Sequence, residues 1–334
     1  MEASIADLRQ QVASELREVE DQLATVLQSR VETVPAIYHH ARSGGGKRLR
    51  PSLLILSAQS VAGDDYAARV SRSDLIHFAA AVEMVHVASL MHDDVVDGSD
   101  LRRGRPTANA LWRGKLCVFA ADFLLADVYA RLCTPGHAPL LRELADAVRR
   151  MCEGEIIQTA NEGNLELTEE EYLRAIEGKT ASLMAACTSI GAQLGHGSAD
   201  QVHALKRFGF SLGVAFQIAD DVLDLVGDPA RMGKSRGQDL RSGRWTLPLI
   251  YALGGMGDGH VSMLRRELTD YWAVDEPRLS SIVEALRATG ALSRAIATAR
   301  DHAATARRAL AELPHTSARD LLESLAHAVV ARES

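Results

Sequence analysis

The chain has 334 residues, of which 47% are hydrophobic and 24% charged, with a formal net charge of −7. That is globular composition with ample material for a core, and its acidic balance excludes the general basic character by which proteins hold nucleic acid through phosphates. The four cysteines (Cys117, Cys133, Cys152 and Cys187) are widely spaced with no CxxC pair, which points to reduced core residues of a cytoplasmic protein rather than a disulfide framework or zinc site.

The opening residues, MEASIADLRQ, are acidic and polar, unlike a signal peptide. No continuous apolar run approaches the roughly 18 residues that a bilayer span needs. Apolar spacing predicts helices over 5–30, 73–97, 116–133, 139–160, 169–195, 200–226 and 279–312. Thr168, followed by Glu169, Glu170 and Glu171, reads as a helix N-terminus. Glycine- and proline-bearing breaks fall at 43–46, 98–106, 134–139, 161–164, 227–243 and 254–259, and none is long enough to link independent domains. Alternating strand patterns are scarce. The expectation is one all-α domain over 1–334.

Within "HDDVVDGSDLRRGRP", Asp93 and Asp97 are four residues apart and share a helix face, with Asp94 beside them. Two such charges about 5.5 Å apart repel by roughly 3 kcal/mol at an effective dielectric near 20, and by far less in open solvent. One such motif is therefore compatible with a solvated acidic face. The same spacing returns in "FQIADDVLD" as Asp220, Asp221 and Asp224. Two helices carrying carboxylate stripes could face one another across a cavity. Oxygen-only ligands suit Mg²⁺, which binds through a few carboxylates, waters and substrate phosphates.

Cations accompany the acids. "SGGGKRLRP" sets Lys47, Arg48 and Arg50 beside three glycines, a setting for close approach to a phosphate. It is no Walker loop, because Ala41 stands where the first glycine belongs and Arg48 follows the lysine. Arg102, Arg103 and Arg105 follow the first acid cluster. "GKSRGQDL" brings Lys234 after the second, with Gly227 one residue too far upstream for a nucleotide loop. His86 lies two turns before Asp93 on the same face, and Gln217 one turn before Asp221. Lys179 and Thr180 interrupt a helix rich in Ala and Leu, where a lysine could also reach out to solvent.

Together these segments resemble the trans-isoprenyl diphosphate synthases over roughly residues 40–253. The likeness rests on "GGGKRLRP", "HDDVVDGSDLRRGRPT", "GEIIQ", "GKTASL", "FQIADDVLD", "GKSRGQDL" and "RSGRWTLPLIYAL", in order and at family spacing. It implies a single large helical bundle around a central cavity. It also implies about three Mg²⁺ ions on an allylic diphosphate, with Asp93, Asp97 and Asp220 as direct ligands and Asp94, Asp221 and Asp224 in support. Arg102 and Lys234 would complete the grip on that diphosphate, while Lys47, Arg50, His86 and Arg103 would hold isopentenyl diphosphate. Lys179, Thr180 and Gln217 would turn their dipoles toward an allylic carbocation. A homodimer is implied too, and a long product implies transient membrane contact at release. Arg244-Trp245 departs from the family, which commonly has lysine there, and altered contacts of the flap around Lys234 are expected.

Product length follows from bulk. Ala88 and Ser89, five and four residues before Asp93, are small where short-chain members of the family place an aromatic plug. An open tunnel predicts products of about C30 to C50, with Phe119 or Phe123 as candidates for a deeper floor. A shorter-chain synthase making C15 to C20 products is the leading alternative, and three other readings are weighed against the sequence. A terpene cyclase needs no second diphosphate pocket and usually carries a different second metal motif. A non-catalytic partner subunit tends to lose aspartates, whereas this chain keeps six. An NTP-dependent kinase using Lys234 fails on loop spacing.

Overall fold

In the computed structural model the described residues are 2–25, 29–43, 46–102, 104–227, 236–255 and 259–331. Among them the chain is all-α, apart from a two-residue antiparallel ribbon that pairs Leu101 with Pro106 and Arg102 with Arg105. Two compact units divide the chain. One comprises Met1–Val148, Leu183–Gly209 and Ala309–Leu325; the other comprises Arg149–Ser182, Phe210–Arg308 and Ala326–Ser334.

The first unit begins with α1 (Glu2–Gln11), α2 (Ala13–Thr25), α3 (Thr33–Ser43) and α4 (Leu49–Ala62), followed by α5 (Tyr66–Arg69), α6 (Arg72–Val96), α7 (Ala108–Trp112) and α8 (Gly114–Leu132). The stretch expected as one helix over 5–30 is divided at Val12 into α1 and α2. Helix α6 is the unit's centre, with α2, α4 and α8 packed around it. Ser71 caps its first turn by accepting from the Asp74 N–H, and Gly98, at φ +59°, follows its last. By length and composition α6 could span a bilayer, but 72% of its most apolar 18-residue window is buried against the protein itself, as in a core helix. Helix α4 carries no amphipathic signal because it is buried almost all round, from Pro51 to Ala62.

Beyond these come α9 (Ala138–Ala160), α10 (Glu169–Ile176), α11 (Ser182–Leu194), α12 (Ala199–Val226), α13 (Gln238–Arg241), α14 (Leu247–Leu253), α15 (Gly259–Glu267), α16 (Glu276–Ala288), α17 (Ala291–Leu310) and α18 (Ser317–Val330). The core of the second unit gathers Val214, Ile218, Trp245, Leu249, Leu279 and Ile282. At α10 the expected N-terminus is a full capping box, with Thr168 and Glu171 each satisfying the other's backbone N–H. The helix expected over 279–312 is two, because Gly290 at φ +72° ends α16 before α17 starts. The run expected over 169–195 contains a π-helical turn, Glu177–Ala181, between α10 and α11.

Candidate active site

In the first unit the end of α6 sorts its three aspartates by exposure. Asp93 is half-buried and Asp97 exposed, whereas Asp94 is only 6% exposed. The Arg102 Nε donates to Asp94 Oδ1 at 2.8 Å, which fastens the ribbon to the helix. Burial nevertheless holds the Asp94 carboxyl above the usual range, Arg102 opposing and Asp97 adding to the rise. One N–H of the Arg102 guanidinium is thus committed, on a side chain still 40% exposed.

The basic loop lies in the same unit. Lys47 is exposed, and Arg50 stands in the first turn of α4. The Arg50 Nε is shut off from solvent with no hydrogen-bond partner among the described residues. Burial lowers the pKa of this guanidinium, and Cys187 and Glu83 are near enough to counter that effect. A guanidinium N–H closed off from water without an acceptor is costly unless an anion completes it. Glu83 sits one turn before His86 on α6. Ala88 is wholly buried, and the half-buried Ser89 turns its hydroxyl back to the His86 carbonyl at 2.9 Å, leaving its methylene as the remaining side-chain surface. Phe119, a candidate tunnel floor, is 71% exposed, and Phe123 is half-buried.

The second unit holds the other motif on α12. Asp220 is half-buried, while Asp221 and Asp224 are 5% and 1% exposed. Asp221 ends a chain of hydrogen bonds: it accepts from the Tyr172 hydroxyl at 2.7 Å and from Gln217 Nε2 at 2.8 Å, and Gln217 Oε1 accepts from Thr180 Oγ1 at 2.7 Å. Burial raises the Asp221 pKa well above the ordinary carboxylate range, with Asp239 and Asp220 adding like charge against those two donors. Asp224 accepts from the Asp239 N–H at 3.1 Å through Oδ2, and its carbonyl accepts from the Gly237 N–H at 2.7 Å. It therefore secures the chain at the start of α13.

Lys179 and Thr180 stand on the π turn, a distortion frequent at functional sites. Lys179 does not run out to solvent: its Nζ pairs with Glu155 at 2.5 Å and donates to Gln158 Oε1 at 3.0 Å. The close crossing of α9 and this turn depends on two glycines. A Cβ on Gly154 would stand 2.4 Å from the Lys179 nitrogen, and one on Gly178 2.6 Å from the Arg150 carbonyl oxygen. Trp245 is a core residue edge-on to Tyr271, and Arg244 lies 3.6 Å from Glu162. Arg103 and Lys234 lie outside the described residues. Sequence reasoning missed Tyr172, and it missed Glu20 and Glu83 as the carboxylate partners of Arg48; for the pairing of Glu155 with Lys179, only "GEIIQ" gave a signal.

Among the described residues no three His, Cys, Asp or Glu side chains form a ready metal cage. What α6 and α12 offer is sparse and oxygen-only: Asp93 and Asp97 on one, Asp220 on the other. Such donors fit Mg²⁺, which keeps waters and takes its other ligands from substrate phosphate.

A family model described as polyprenyl synthetase matches residues 31–270. The chain is similar to a short chain isoprenyl diphosphate synthase of Methanothermobacter thermautotrophicus, at 35% identity over 306 residues, covering 90% of this chain and 91% of that protein. It is also similar to the octaprenyl diphosphate synthase of Escherichia coli, at 33% identity over 330 residues and 99% of each chain. A polyprenyl synthase of Caulobacter crescentus, solved in complex with calcium and isoprenyl diphosphate, matches with a TM-score of 0.90 at 35% identity, over 99% of this chain and 98% of that one. The chain belongs to the polyprenyl synthetase family, and it is an enzyme of that class, a prenyltransferase.

Proposed function

We propose that the enzyme elongates an allylic diphosphate by head-to-tail (1′–4) condensation with isopentenyl diphosphate, in a Mg²⁺-dependent reaction that continues to about C30 to C50. The observation that carries this reading is the division of the six aspartates by burial: Asp93 and Asp220 are half-buried and Asp97 exposed, while Asp94, Asp221 and Asp224 are 6%, 5% and 1% exposed. The first three would hold about three Mg²⁺ ions together with the allylic diphosphate. Bound metal would offset the charge that develops on the departing diphosphate. Asp94, Asp221 and Asp224 keep their neighbours in place. Arg102 and Lys234 grip the same diphosphate.

The second substrate falls to Lys47, Arg50, His86 and Arg103. Arg50, half-buried with its Nε shut off from solvent and unpartnered among the described residues, is the strongest support for an anion there, and a cyclase would have no use for it. As the allylic C–O bond ionises, the Gln217 amide, locked between Thr180 and Asp221, and the Lys179 carbonyl on the π turn would present dipoles to the cation. The isopentenyl double bond attacks, forming the new C–C bond, and a proton passes to the released diphosphate. We take residues 1–334 as one catalytic domain, since each unit is assembled from three separate stretches of the chain. Leu116 and Phe119 of α8, 48% and 71% exposed, would meet a second copy in a homodimer. Membrane contact would accompany release of the apolar product, and residence is cytoplasmic.

Ser89→Phe tests the product-length assignment. With an open tunnel beneath Asp93, the variant stops at about C15 to C20 while its first condensation keeps nearly its wild-type rate. An unchanged product distribution would place the tail elsewhere, and the relatives' names, short chain and octaprenyl, make either length chemically accessible to this family.

A further inference from the structure

Arg48, between two residues assigned to isopentenyl diphosphate, points away from that task. Its backbone is left-handed, at φ 49° and ψ 39°, a conformation that residues other than glycine rarely adopt without support. The support is on both sides. Its guanidinium, 10% exposed, pairs through Nη1 with Glu83 Oε1 at 2.8 Å and through Nε with Glu20. Glu20 on α2 also takes Arg42, at 2.6 Å. Gly46 lies so close that a Cβ there would meet Arg48 Nη1 at 2.7 Å.

The charges sum in an informative way. Two carboxylates, Glu20 and Glu83, are hydrogen-bonded to two arginines, Arg42 and Arg48. Arg50 is left over. Yet Glu83 is 3% exposed and close enough to Arg50 for each to perturb the other. Were Arg48 absent, the described cation that acts next most strongly on the buried Glu83 would be Arg50, on α4, which packs against α6.

We propose that Arg48 is a positioning residue that keeps Glu83 from neutralising Arg50, and so preserves an anion-accepting guanidinium for isopentenyl diphosphate. The proposal rests on the assignment of Arg50 to that substrate. It gives the N-terminal helix α2 a part in catalysis through Glu20, which holds the other side of the same guanidinium.

The test compares KM for isopentenyl diphosphate and for the allylic substrate in the wild type, Arg48→Ala, Arg48→Ala/Glu83→Gln and Arg50→Gln, with thermal melts on each. Arg48→Ala raises the isopentenyl KM by about tenfold or more and leaves the allylic KM within about twofold. Adding Glu83→Gln restores most of the affinity, because the competing charge is gone. Packing damage would do the reverse, since the second substitution removes another contact. No rise in Arg48→Ala, or a rise that Glu83→Gln does not relieve, overturns the proposal. Should Arg48→Ala fail to fold, the double variant, with no buried charge stranded, must keep an isopentenyl KM within about threefold of wild type, and a larger rise overturns it equally. An unchanged isopentenyl KM in Arg50→Gln would instead bring down the subsite assignment itself, and the proposal with it.

Discussion

Asp93→Asn reduces turnover by about a thousandfold or more while the melting temperature stays near that of the wild type. Asp93 is half-buried at the end of α6, and the neighbouring carboxylate that secures the ribbon is Asp94, not Asp93. On the proposed assignment, losing this half-buried carboxylate removes metal affinity with little damage to packing. Charge stabilisation of the kind a bound divalent ion gives amounts to several kcal/mol, and about 4 kcal/mol corresponds to about a thousandfold in rate. Raised Mg²⁺ should recover part of the activity. Single-turnover kinetics at several Mg²⁺ concentrations, beside a thermal melt, check this. An Asn variant with near-normal turnover would remove Asp93 from the metal site.

Gly154→Val damages fold and catalysis together. Its new side chain would begin 2.4 Å from the Lys179 nitrogen and 2.6 Å from the Ala175 carbonyl oxygen, and backbone atoms cannot swing aside. Either α9 or the π turn must shift, at a cost of about 3 kcal/mol. The shift is delivered to residues proposed to face the carbocation. Lys179 and Thr180 stand on that turn, and Thr180 orients Gln217. A displacement near 1 Å therefore reduces kcat by about a hundredfold in whatever fraction remains folded. Urea denaturation read against kcat per folded molecule measures both effects. Unchanged stability would mean that the crossing has slack the geometry denies.

The acid motifs were legible because their information is local: spacing of four on a helix puts Asp93 beside Asp97, whatever surrounds them. Long amphipathic helices were legible for the same reason. Helix α4 was not, since a segment buried on every side has no polar face to give it a period. The end of α16 turned on the left-handed conformation of Gly290 within a run that otherwise reads as continuous helix. The partners that lock the site were beyond reach. Tyr172 meets Asp221 across 49 positions, and Glu155 meets Lys179 from a different helix, pairings that only the packed helices reveal. Arg48 reads as one more cation for phosphate, and its two carboxylate partners on α2 and α6 assign it differently.

The central claim is tested most directly by incubating the enzyme with Mg²⁺, labelled isopentenyl diphosphate and either farnesyl or geranylgeranyl diphosphate, then dephosphorylating the products and separating them by length. The account predicts a ladder of linear prenyl alcohols ending at about C30 or beyond, with none formed when Mg²⁺ is chelated. A stop at C20 or below would contradict the open tunnel past Ala88 and Ser89. Cyclic hydrocarbon made from the allylic substrate alone, or no incorporation of label at all, would contradict the assignment of an elongating synthase.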